Sequence, residues 1–322
     1  ISAHGIANGF FMGYPRRRIT KTKSFTTFYH GENHVRYQIK GKMPEIENPS
    51  DELEENEQWG GGFPVYIYTT GTTMCKNGMN GAYTQGIDET FAEEMAKRGY
   101  VAAVVEYPCA NYVSTCNQLE NKVKYIYGDA DNTALSILCN FPNANCKLGV
   151  AAHGYSQGAH IAYMSKAFDS RITARLLFAG GSIIVGQTAA KSSCLQPQPG
   201  MNDLTDGTNY IRSIIGENDA YFGYNLGGVL AQQRGLIGIP DTEICSSNSA
   251  LERDCFKDVS GKDDAGYGYY VIKDAAHLFF LTQIMGLKDT FVNDQDSEWG
   301  MTKNFDWLAN YGWNRARRTF SM

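Results

Sequence analysis

No run of 18 apolar residues occurs in this 322-residue chain, so nothing in it reads as a membrane-spanning helix. None of its 8 cysteines falls in C-x-x-C spacing, which removes the usual sequence signature of zinc and thioredoxin-like sites. A large excess of one charge is missing too: 29 Lys+Arg face 34 Asp+Glu, a formal charge of -5 with no basic stripe, which argues against nucleic acid as a partner. There is no internal repeat. The chain opens at Ile1 without a charged segment followed by an apolar one, and reads as a processed product whose signal peptide is absent.

What is present in quantity is apolar. Hydrophobic residues make up 43% of the chain, enough for a large core, and one set of motifs spans it, so a single domain over 1–322 is expected. The cysteines are even in number and several lie in near pairs: Cys109 with Cys116, Cys139 with Cys146, Cys245 with Cys255, leaving Cys75 and Cys194. Mostly disulfides in a secreted, extracellular protein is the expectation, although eight cysteines allow 105 connectivities and spacing does not choose among them.

Residues 1–24 are glycine-rich and then basic, an irregular arm; "SFTTFYHGENHVRYQIKG" alternates like a hairpin or a pair of edge strands; 44–62 is an acidic, solvated loop. From Pro64 the pattern becomes strand, turn, helix. "PVYIYTTG" is a short strand and "QGIDETFAEEMAKRGY" an amphipathic helix with Phe91 and Met95 on one face. "YVAAVVEYP" is a β-branched run suited to burial on both faces of a parallel sheet. One long helix is expected from about Gln118 to Cys139. Further strands read at "KLGVAAHGYS", "ARLLFAGG", "YIRSIIGEND" and "GYGYYVIKDAAH", with the helix "QGAHIAYMSKAF" after the first of these. Strands alternating with helices predict an α/β fold with a mostly parallel sheet and helices on both faces. A polar insertion at 220–266 falls where a cap over a site could sit.

The sharpest local signal is Gly154-Tyr155-Ser156-Gln157-Gly158, a G-x-S-x-G with an apolar strand before it and a helix after it. A serine on so tight a strand-to-helix turn takes a strained backbone, and a Cβ two residues to either side would collide with the neighbouring strand or helix. The helix N-terminus then turns its dipole and amides toward a bound carbonyl oxygen. Ser156 needs a base, because a hydroxyl is a poor nucleophile near neutral pH. In this topology the chain order is serine, acid, histidine. Of His4, His30, His34, His153, His160 and His277, only the last two lie downstream, and His160 is four residues along the same helix. His277 is therefore the candidate base. Asp219 is the candidate acid, since it directly follows the strand "YIRSIIGEND"; Glu217 and Asp241 are alternatives. Oxyanion donors are expected at the amides of Gln157 and Thr72, with Thr70 and Thr73 as alternatives to the latter.

With "TTGT", "GYSQG", "GEND" and His277 in these positions, the segment from about Pro64 to Gly286 resembles the α/β-hydrolase superfamily. The "GIDETFAEEMAKRGYVAAVVEYP" stretch is similar to secreted dienelactone-hydrolase-like, platelet-activating-factor-acetylhydrolase-like and cutinase-like polyester hydrolases. The N-terminal 60 residues and the 220–266 insertion match no branch of it. The expected activity is hydrolysis of carboxylic esters, esterase- or lipase-like, through Ser156, His277 and Asp219 and an acyl-enzyme, with no cofactor and no metal required. The expected partner is an ester substrate, whether small molecule, lipid or polyester. Amide or peptide hydrolysis or acyl transfer by the same residues, and a non-catalytic binding protein on this fold, are the other classes.

Tyr155, Tyr221 and Phe222, with Tyr224, are placed to line a substrate pocket. His30, Glu32 and His34 would share one face of a strand, but no fourth metal ligand is evident, and "DVSGKDDAG" at 258–266 lacks the spacing of a calcium loop. "FDWLANYGWNRARR" reads as a helix packing its aromatics, with a basic end.

Overall fold

The computed structural model describes residues 19, 21–31, 34–45, 61–72, 87–108, 112–182, 193–195, 210–223, 225–237, 255–258, 268–277, 279 and 300–313. Nine strands form one sheet: β1 (Thr22–His30), β2 (Arg36–Pro44), β3 (Val65–Thr69), β4 (Val101–Val105), β5 (Val150–Tyr155), β6 (Ile172–Phe178), β7 (Tyr210–Gly216), β8 (Cys255–Asp258) and β9 (Gly268–Ile272). Their spatial order is β1-β2-β4-β3-β5-β6-β7-β9-β8. The six strands from β4 through β9 at the centre pair in parallel, while β1, β2 and β8 run antiparallel at the two edges.

Strand alternation divides the core between two faces. Val65 and Ile67, Val101 and Ala103, Val150 and Ala152, and Ile211 and Ile215 point into one buried cluster. Tyr66 and Tyr68, Ala102 and Val104, and Leu176 and Phe178 point into the other. Helices cover both. On the first face pack α2 (Cys116–Tyr127), α3 (Ala134–Cys139), α4 (Gln157–Phe168) and α5 (Leu226–Ile237); on the second lie α1 (Ile87–Lys97) and α6 (Met301–Tyr311). The parallel centre flanked by helices, with its serine turn between β5 and α4, is the α/β-hydrolase fold.

Two expectations change. The long helix over 118–139 is two helices, because Gly128 ends α2 in an extended conformation and Thr133 starts α3, its hydroxyl accepting from the Ser136 amide at 3.2 Å. Within 220–266, α5 and β8 belong to the sheet and its cover, while 238–254 and 259–266 lie outside the described residues. Leu226, Val229, Leu230, Leu236 and Ile237 of α5 are buried against the first face, and β8 pairs antiparallel with β9 at the sheet edge.

The second correction concerns disulfides. Cys139 pairs with Cys146 as their spacing suggested, but Cys116 pairs with Cys194, not with Cys109, so Cys194 is not the partner of Cys75 either. Near neighbours in sequence lost to a spatial meeting: Cys116 opens α2, and 193–195 packs beside it over the first face. In the chain-entropy view a bridge closing so long a loop constrains the unfolded chain by about 4.5 kcal/mol. Cys255 is disulfide-bonded too. Cys75, Cys109 and Cys245 lie outside the described residues, as do the arm at 1–18, most of the acidic loop, Glu32, Tyr224, Asp241 and most of 258–266.

No helix among the described residues is long and apolar enough to cross a membrane, and no group of three or more His, Cys, Asp or Glu among them could hold a metal ion.

Candidate active site

The parallel strands of an α/β sheet deliver their loops to one edge, at the carboxyl ends. Ser156 follows β5, Asp219 follows β7, and His277 follows β9, so three separate connections converge there.

Ser156 sits at the N-terminus of α4 with φ 54° and ψ -119°, one of few non-glycine residues here with positive φ. Such a backbone is strained for a residue with a Cβ, and its surroundings hold it. The Ser156 amide donates to the Phe178 carbonyl at 2.9 Å, and the Ser156 carbonyl accepts from Ala159 at 3.0 Å. The flanking glycines answer to crowding. A Cβ on Gly154 would lie 2.0 Å from the Gly158 carbonyl oxygen, and one on Gly158 would lie 2.0 Å from that of Thr69. The elbow is therefore possible only with both side chains absent, and the oxygen of Thr69 marks how closely the end of β3 approaches it.

His277 Nε2 lies 3.0 Å from Ser156 Oγ, and His277 Nδ1 lies 2.7 Å from Asp219 Oδ2. Asp219 is fully buried, and its other oxygen, Oδ1, accepts from the amides of Tyr221 at 2.9 Å and Phe222 at 3.1 Å. With both amides spent on Oδ1, Oδ2 is left to accept from His277 Nδ1–H, and in that tautomer the Nε2 lone pair faces the serine hydroxyl. The loops are also tied to each other: Asn218 donates to the Ala275 carbonyl at 2.8 Å, and Glu217 to that of Ile272 at 2.9 Å. Glu217, the alternative acid, instead accepts from the Asp274 amide at 3.0 Å, which fixes the turn carrying His277.

The other two histidines near the elbow are packed as neutral groups. His160 is wholly buried and pushed down to about 3 by desolvation. Its Nε2 accepts from the Gly181 amide at 3.4 Å, and its Nδ1 is 3.2 Å from the Tyr112 hydroxyl. His153 is held well below the usual imidazole range by burial alone.

Of the aromatics expected near the serine, Tyr221 is 54% exposed and its ring lies 4.5 Å from that of His277, tilted by 51°. Tyr155 and Phe222 are buried, their rings 5.2 and 5.6 Å from the same imidazole, so they stand behind it. Of the residues expected to supply oxyanion donors, Gln157 opens α4, where amides have no intrahelical acceptor. Thr72 is reached by Gln157 itself, Nε2 donating to Thr72 Oγ1 at 2.6 Å. Thr70 is buried, its carbonyl accepting from the Tyr107 hydroxyl at 2.7 Å, and Thr73 lies outside the described residues. Sequence reasoning passed over Lys122, whose Nζ donates to Gln157 Oε1 at 2.7 Å. It stands on a different helix, and no local pattern marks it.

No family model and no curated protein matches the chain. Among solved structures it is similar to hypothetical protein PA2218 from Pseudomonas aeruginosa, at 13% identity over 50% of this chain and 43% of that one, with a TM-score of 0.32. The chain thus spans under half the length of that protein. It is also similar to the esterase Pf2001 of Pyrococcus furiosus, at 11% identity over 90% of this chain and 93% of that one, with a TM-score of 0.49. A third is a cold-adapted esterase from an Arctic intertidal metagenomic library, at 12% identity over 90% and 94%, with a TM-score of 0.46.

Proposed function

We propose that the protein is a serine hydrolase of carboxylic esters, with Ser156 as nucleophile, His277 as general base and Asp219 as the group that orients the imidazole. The observation that carries this reading is the continuous hydrogen-bonded line from Ser156 Oγ through both ring nitrogens of His277 to the buried Asp219 carboxylate. In it each group has the partner its task requires.

In the first half-reaction Ser156 Oγ attacks the acyl carbon while its proton passes to His277 Nε2. The imidazolium so formed is stabilised by the Asp219 carboxylate, which stays ionised. Charge on the former carbonyl oxygen is received by the amides of Gln157 and Thr72, at the positive end of α4. Collapse of the tetrahedral intermediate expels the alcohol, which takes the proton from His277. Water then attacks the acyl-enzyme with the same base, giving acid and free serine. An alkoxide leaves with less demand on proton transfer than an amine does, which favours esters over amides as first substrates. Tyr221 is the aromatic that a bound ester would meet, being both exposed and in ring contact with His277. The disulfides fit an extracellular, oxidising setting.

The test is intact mass after incubation with a fluorophosphonate, on the wild type and on Ser156→Ala, alongside rates on matched p-nitrophenyl esters and anilides. A single adduct on the wild type alone, with ester turnover exceeding amide turnover, is the expected result. A folded wild type that takes no adduct would overturn the reading and leave a binding role.

A further inference from the structure

We propose that Lys122 is a positioning residue for the oxyanion-binding loop, acting through the side chain of Gln157 on Thr72. This rests on the serine-hydrolase reading, and it adds a residue from a helix that contributes nothing to the line from Ser156 to Asp219.

The chain of contacts is short and directional. Lys122 Nζ on α2 donates to Gln157 Oε1 at 2.7 Å, and Gln157 Nε2 donates to Thr72 Oγ1 at 2.6 Å. A glutamine amide can turn over, exchanging its oxygen and nitrogen. An ammonium offers donors only, so beside Lys122 the amide must present its oxygen to the lysine and its NH2 to Thr72. Thr72 Oγ1 is thereby fixed as an acceptor from Gln157. The Gln157 side chain is also hydrogen-bonded to Tyr107, and Lys122 is the charged partner that holds its oxygen end; without the lysine the amide loses that hold and the contact to Thr72 loosens.

The loop so gripped is the one beside the nucleophile. Thr69 Oγ1 donates to the Gly158 carbonyl at 3.0 Å, the Tyr107 hydroxyl donates to the Thr70 carbonyl at 2.7 Å, and a Cβ on Gly71 would lie 3.1 Å from Ser156 Cβ. The Tyr107 ring also lies 5.6 Å from Lys122 Nζ, so the anchors at Thr70 and at Thr72 both lead back to this one ammonium. Gln157 is fully buried, and its amide oxygen would forfeit the lysine's charge-assisted bond on truncation. Holding a cation there is costly: burial draws Lys122 down to about 8. A lysine serving only solubility would have no reason to accept that burial.

The test uses the full chain and p-nitrophenyl acetate as probe, with wild type, Lys122→Met, Lys122→Arg, Gln157→Leu and the double variant Lys122→Met/Gln157→Leu. Loss of a whole oxyanion donor lowers kcat by about 100- to 1000-fold, and a displaced donor is expected to cost about 10-fold. Lys122→Met should therefore lower kcat about 10-fold with KM unchanged, and Lys122→Arg should restore most of it. In the Gln157→Leu background, Lys122→Met should cost nothing further, since its effect runs through that amide. Lys122→Gln, equally uncharged, takes the place of Lys122→Met if the latter does not fold. An active wild type with unchanged kcat in the uncharged variant, or losses that multiply in the double variant, would overturn this inference alone. A wild type that neither turns over ester nor labels at Ser156 would overturn the hydrolase reading and this inference with it.

Discussion

Two imidazoles lie on either side of the elbow, and almost everything about them differs except one bond length. His277 and His153 each have a ring nitrogen 2.7 Å from an oxygen, Asp219 Oδ2 in one case and the Tyr66 hydroxyl in the other. The second nitrogen of His277 meets the serine hydroxyl. That of His153 has no hydrogen-bond partner, and the ring is boxed by Tyr68, Phe91, Phe178 and Phe305 at 4.5 to 5.5 Å. A carboxylate stabilises the cation that a base must become, whereas a phenol in an aromatic box only fixes the neutral ring. Accepting from Tyr66 leaves His153 with a single orphaned N–H, the less costly of its two tautomers. Three residues from Ser156, His153 thus has the environment of a packing residue, while His277, more than a hundred residues away, has one suited to the base we propose.

The sharpest way to break this contrast is to remove each ring. Ser156→Ala and His277→Ala should each lower kcat by about 10⁵- to 10⁶-fold, and the two together by scarcely more, because such groups act as a unit. Next comes Asp219→Asn, expected to cost about 10⁴-fold by presenting an N–H where His277 Nδ1 needs an acceptor. His153→Phe should leave kcat within about twofold. Steady-state kinetics on one short ester decides all four. A His153→Phe enzyme as impaired as His277→Ala would erase the distinction.

A smaller effect sharpens the contrast from the side of stability. In the unfolded chain His153 gains a proton near its ordinary value of 6.5, while in the folded chain burial keeps it neutral well below that. The unfolded state therefore binds more protons below pH 6.5, and stability falls as the pH drops, by up to about 1.4 kcal/mol per unit. His160, depressed to about 3, acts in the same sense. Urea unfolding at pH 7, 6 and 5 should show His153→Phe losing less stability with acid than the wild type. Equal slopes would mean that His153 is charged in the folded protein.

How much of this is readable without coordinates follows from range. The strands at 65–69, 101–105, 150–155 and 172–178 announce themselves because a strand buried on both faces is continuously apolar, and G-x-S-x-G is a local solution to local crowding. The meeting of Ser156, Asp219 and His277 could be guessed only through chain order, since no spacing encodes it. What stayed hidden was set by tertiary contact. Thr133 interrupts a helical pattern with a cap that looks like any threonine; Cys116 found Cys194 across 78 residues; α5 hides as a polar insertion because Gly227, Gly228 and Gly235 dilute its apolar stripe. Lys122 carries no signal at all, being one lysine on an amphipathic helix.

The least effect concerns Tyr221, which meets solvent beside His277. Phe222 and Tyr155 are sealed behind the imidazole, but Tyr221 exposes 54% of its surface while its tilted ring touches His277. It is thus able either to brace the base or to greet the substrate. Tyr221→Ala separates the two roles, because it retains the backbone amide that donates to Asp219 Oδ1 and so leaves the acid intact. An aromatic contact with substrate is worth about 0.5–1.5 kcal/mol, which is a factor of about 2 to 12. If the ring greets substrate, KM for long-chain or aromatic esters should rise about threefold while acetate esters are unaffected, since an acetyl group is too small to reach it. If the ring braces His277, kcat should fall by the same factor for every ester, with KM unmoved. The first outcome is expected: Asp219, the Tyr155 and Phe222 rings and the turn fixed by Glu217 already hold the imidazole from its other sides, leaving the exposed face of Tyr221 for something that comes and goes.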